Sequence, residues 1–193
     1  MNASPILLLV ALFSLPTCLA LAQDGASPPP SQEEVERRMC AETACQRDLR
    51  VTLKKKDGST YDQTFKAFPA VVQDFGITVV AGQTVHVEAE LVDGKLANMH
   101  VVDAVRHPEK TLTASFTQNT DGGMLLAVSN PFGETIRFRM GIMPLDADEL
   151  YATSSCPIGA GQKNFEMWPY PIFQVVLGDG RVLAKGESGA CVE

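Results

Sequence analysis

The sequence predicts an all-β fold, an antiparallel β-sandwich of immunoglobulin-like type with a short N-terminal helix and two disulfides. Three observations predict it. Beyond residue 48 the chain is a succession of about nine or ten short apolar-polar alternating runs, separated by Gly, Asp and Asn turns. No run of that region carries the longer period of a sheet-covering helix. The chain has five cysteines, and they sort by position. Cys18 sits in an apolar leader, whereas Cys40, Cys45, Cys156 and Cys191 form an even set in the polar part, as in exported disulfide-bonded domains.

In chain order, residues 1–22 read as a signal peptide. Ile6 to Ala22 is apolar and uncharged, shorter than the roughly 20 residues of a membrane span, and Ala20-Leu21-Ala22 supplies the small-x-small cleavage pattern. Met1-Asn2-Ala3-Ser4 carries no Lys or Arg, so the positive start is the amino terminus alone. Lipid attachment at Cys18 is disfavoured, because Leu15-Pro16-Thr17 ends with the wrong residues before the cysteine. Residues 23–31, with Pro28-Pro29-Pro30, form an extended linker. The net charge of −7 belongs to the chain after the leader. It excludes nucleic acid and anionic membrane as natural partners, since both need basic clusters. The one basic run, Lys54-Lys55-Lys56, sits beside a turn.

Residues 32–47 are read as a short helix. Ser31 and Glu34 form a capping box, and Val35, Met39 and Ala44 line one face, with the helix reaching about Arg47. Cys40 and Cys45 would lie roughly 140° apart on a continuous helix. A bond between them requires the helix to end or distort near Glu42-Thr43. Four cysteines allow three connectivities; the expected set is the local Cys40–Cys45 pair with a long-range Cys156–Cys191 pair.

Residues 48–193 form the sandwich domain. Leu49, Val51 and Leu53 alternate with polar residues, Asp57-Gly58 turns, and Tyr61 to Phe68 returns. The remaining strands are Ile77 to Val80, Thr84 to Val92, Leu96 to Val105, Thr111 to Gln118, Met124 to Ser129 and Thr135 to Met143. A last hairpin pairs Ile172 to Leu177 with Arg181 to Lys185 around Gly178-Asp179-Gly180. Asp146 to Leu150 reads as one helical turn. Thr153-Ser154-Ser155-Cys156-Pro157 and Phe165-Glu166-Met167-Trp168-Pro169-Tyr170-Pro171-Ile172 resemble uncharacterised secreted or periplasmic β-sandwich proteins of Gram-negative bacteria. The resemblance covers mainly the C-terminal third; it implies an envelope or secreted location and no particular activity.

The sharpest chemical candidate is His86, Glu88 and His100. Alternation puts His86, Glu88 and Glu90 on one face of their strand. A three-residue Asp93-Gly94-Lys95 loop sets Glu88 opposite His100 and Glu90 opposite Asn98, a donor mix suited to a divalent metal. A two-residue Asp93-Gly94 turn shifts the pairing and dissolves the cluster. The same pattern also describes the solvated face of an ordinary hairpin. Catalysis has no signature: there is no Gly-x-Ser-x-Gly elbow, and Cys40 and Cys45 are too far apart for a thioredoxin-type pair. Ser154-Ser155 has no evident partner, and no cofactor motif is present. Trp168 and Tyr170, flanked by Pro169 and Pro171, offer an aromatic ridge for a protein or a sugar, although a sole Trp most often plugs a core. The leading expectation is an exported, non-enzymatic binding protein of the cell envelope, with an unidentified protein or glycan partner. The alternatives are a metal-binding protein or metal-dependent enzyme using the His/Glu cluster, and a carbohydrate-binding module.

Overall fold

A computed structural model describes residues 31–42 and 45–192. The leader, Cys18 and most of the proline linker lie outside the described residues. The chain divides into two units, Met1–Ser31 and Gln32–Glu193, and the fold below is that of the second. Among the described residues, no helix is long and apolar enough to cross a membrane.

Helix α1 (Gln32–Glu42) opens the unit with Glu33 and Glu34 in its first turn, where carboxylates complement the helix dipole. It ends at Glu42 rather than near Arg47, which lies in β1. That early end lets Cys40 bond Cys45, and Cys156 bonds Cys191. The two disulfides fit an oxidising compartment.

Twelve strands follow: β1 (Gln46–Lys54), β2 (Thr60–Phe68), β3 (Val72–Gln73), β4 (Gly76–Val80), β5 (Thr84–Val92), β6 (Lys95–Val102), β7 (Thr111–Gln118), β8 (Met124–Ser129), β9 (Ile136–Pro144), β10 (Tyr151–Thr153), β11 (Lys163–Trp168) and β12 (Ile172–Val182). All pairings are antiparallel. β1 and β2 form a sheet of their own, and the others form one ten-stranded sheet with the path β10-β9-β12-β6-β5-β7-β8-β11; β4 and β3 extend from β12. The link between β12 and β6 is the single residue pair Arg181↔Lys95, so the large sheet comprises two stretches joined by that one pair.

Alternation explains the core. Leu112, Ala114 and Phe116 of β7, Met124, Leu126 and Val128 of β8, and Ile136, Phe138, Met140 and Ile142 of β9 are buried, and their intervening neighbours are more exposed, except Arg137, which is also buried. These inward rows join Val85 and Val87 of β5 and Ile172, Val175 and Leu177 of β12 in one hydrophobic cluster. The β1–β2 hairpin docks through Phe65 and Phe68, whose rings meet Phe173 at 5.6 and 5.8 Å.

Two expected elements are replaced. The Gly178-Asp179-Gly180 turn does not form, and β12 runs through it as one strand. Gly178 pairs with Arg139 and Arg181 with Arg137, so one extra residue is absorbed as a β-bulge. Gly180 fits there without displacing its neighbours, because a Cβ would crowd the ends of the Leu96 and Phe138 side chains. Asp146 to Leu150 forms no helix; Ala147 N–H closes a turn onto the Pro144 carbonyl.

Candidate functional site

The β5–β6 hairpin combines both registers weighed from the sequence. Its turn has two residues, Asp93 and Gly94, both at positive φ, with Val92 paired to Lys95. This matches the type I′ geometry whose twist suits flanking strands. Beyond Glu90↔Ala97 the register shifts by one, and Glu88 then faces His100. The shift is a bulge at Asn98, whose φ is 52°. Asn tolerates this left-handed conformation better than other non-glycine residues. Its side chain donates to Glu90 Oε2 at 2.7 Å, so Asn98 and Glu90 also meet.

The bulge unites only part of the anticipated cluster. His100 Nε2 lies 3.7 Å from Glu88 Oε2. His86 turns to Thr113, with Nδ1 2.9 Å from Oγ1. The nearest charge to Glu88 is one the sequence reading missed: Lys110 Nζ, 2.9 Å from Oε2. Ala89 N–H donates to the Lys110 carbonyl, which fixes Lys110 beside the carboxylate. The Glu88 side chain is 7% exposed. The Lys110 hydrogen bond holds its carboxyl below the usual value; burial opposes this, and the charges of Lys110, His107 and His100 reinforce it. Among the described residues, no group of three His, Cys, Asp or Glu side chains is arranged to hold a metal. What the arrangement provides is a charge-paired end of a sheet face.

The aromatic pair separates. Trp168 is 8% exposed; its ring packs edge-on against Phe116 at 6.1 Å, and Nε1 donates to Thr153 Oγ1 at 3.3 Å. Tyr170 is half-buried, with Lys56 Nζ 5.2 Å above its ring. The side chains presented to solvent are instead those of Phe165 (58% exposed) and Met167 (73%). They stand on β11, which pairs only with β8 among the described strands. Asn130 N–H donates to the Gln162 carbonyl. By strand alternation, the even residues of β11 pair toward β8, and Lys163, Phe165 and Met167 direct their amides and carbonyls to the open edge. Phe165 and Met167 sit across from Ala127 and Leu125, which extends the apolar patch onto β8.

A concavity lies beside β9, β10 and β12. It has a volume of about 350 Å³ and is lined by Arg137, Arg139, Arg181, Thr153, Ser155 and Asp179, among others. Arg137 and Arg181 share one carboxylate, Glu187: Arg181 binds it through both Nη atoms at 2.8 Å, and Arg137 Nη1 reaches it at 2.7 Å. Arg137 Nη2 donates to the carbonyls of Ser188 and Ala190. The Arg181 hydrogen bonds, chiefly, and the Ala184 amide draw the Glu187 carboxyl down to about 2. The sequence offers one signal for this site, Arg137-Phe138-Arg139 with two arginines on one strand face. It cannot show that residues 187–190 fold over them.

Compared with protein-family models, curated proteins and solved structures, the chain has no match in any of the three. Geometry and chemistry alone therefore carry the functional reading.

Proposed function

We propose that this chain is an exported, non-enzymatic β-sandwich that binds a protein partner in the periplasm or outside the cell. In this reading residues 1–22 are removed as a signal peptide. The two stretches of the large sheet pack face to face as the layers of the sandwich, in line with their shared hydrophobic cluster. The two disulfides point the same way.

The observation that carries the reading is β11. Natural proteins blunt sheet edges with charge, proline or a covering segment. Here the edge, apart from Lys163 at its start, offers Phe165 and Met167 beside backbone groups that pair with no other described strand. The matching partner is an extended protein segment with alternating apolar side chains, added as a further strand. A photo-crosslinker at Met167 in cells should trap one protein, and Phe165→Asp should abolish the adduct while leaving the melting temperature unchanged. The same adducts arising from a crosslinker at Lys185, or adducts that survive Phe165→Asp, would refute the reading.

A further inference from the structure

We infer that the cavity between β9, β12 and the C-terminal segment is a binding site for a small oxyanion, a ligand bearing a carboxylate or phosphate group. The inference starts from a count of donors and acceptors. Arg137 is a buried cation with a side chain 6% exposed. Its two Nη atoms are occupied, but Nε–H is buried and has no hydrogen-bond partner among the described residues. An unmet buried donor on a charged group is among the costlier defects in a folded protein, and native structures keep few of them.

The neighbours share that excess. Arg139 stands two residues along the same face of β9 and makes no ion pair among the described residues. Arg181 shares its carboxylate partner among the described residues, Glu187, with Arg137. The acidic side chain lining the cavity is Asp179. Three guanidinium groups thus stand against Glu187 and Asp179, a local positive balance on a chain whose net charge is −7. Planar guanidinium forks match carboxylate and phosphate oxygens in pairs. The volume sits near the lower end of the range for small-molecule sites, about 300–1,000 Å³, so the ligand is small.

The β12 bulge makes the site. One extra residue at Asp179-Gly180 turns Arg181 onto the face that holds Arg137 and Arg139. The Cys156–Cys191 bond then anchors the segment that roofs Arg137.

The test follows the Arg137 Nε–H resonance by NMR during titration of the intact protein with inorganic phosphate and with succinate. Sodium chloride at matched ionic strength is the control. A saturable shift with phosphate, succinate or both, absent with chloride and at least tenfold weaker in Arg139→Gln, supports the site; which probe acts identifies the group. Arg139 is exposed, so its replacement should leave the Arg137 resonance in place as evidence of folding. A shift that chloride reproduces, a shift undiminished in Arg139→Gln, or no shift with either probe would overturn the inference. The strand-edge reading at β11 stands or falls separately.

Discussion

Glu187 ties two arginines from two strands to the segment that follows β12, and its titration follows from that position. Arg181 hydrogen bonds, the Ala184 amide and the nearby Arg137 charge hold its carboxyl at about 2, against an ordinary value of 4.5. A group whose folded value is depressed stabilises the fold above its unfolded value, and loses that effect as pH falls through the folded one. Urea melts of the native protein and Glu187→Gln should therefore differ most at neutral pH. The gap should narrow from about pH 4.5 and be gone near pH 2. A gap independent of pH would mean that Glu187 acts through packing and not through charge.

Bulges, more than turns, decide what each strand presents. Asn98 converts a two-residue hairpin, which alone would turn His100 to the other face, into one that brings His100 to Glu88. Deleting Asn98 should keep the nuclear Overhauser contact between the His100 ring and the Glu88 side chain, because it removes the extra residue and leaves Glu88 opposite that histidine in a regular ladder. Asn98→Gly should retain that contact, because glycine adopts positive φ freely, whereas Asn98→Val should lower stability by about 1–2 kcal/mol. Such devices also mark where sequence reading stops. β5, β7 and β8 carry clean alternation, and their boundaries were legible to the residue. β11 escaped because its apolar residues Phe165 and Met167 face outward and leave Trp168 alone as an inward signal. The β12 bulge carries Gly-Asp-Gly, the composition of a turn, and only its pairing with β9 shows that the strand continues. Lys110 and Glu187 were missed because each meets its partner through contacts that no local pattern encodes.

For the molecule as a whole, the two disulfides are unequal braces. Cys40–Cys45 spans 5 residues and Cys156–Cys191 spans 35. In the chain-entropy model these loops contribute about 2 and about 4 kcal/mol. Replacing Cys156 and Cys191 together by Ser should lower the urea midpoint about twice as far as replacing Cys40 and Cys45. It should also expose Arg137, seen as faster exchange of its Nε proton. Equal losses would show that the long bridge does not restrain the roof segment.

β12 has a further consequence, in time rather than in space. Strands β4 and β9 both hydrogen-bond to it, yet it follows them, and every other described strand, in chain order. While a nascent chain is still short of Ile172, both wait with one flank bare, as sticky edges able to join a neighbouring copy. Assembly of that half therefore waits until β12 has been made. A chain stalled or clipped just before that point would be the species most in need of a holding chaperone.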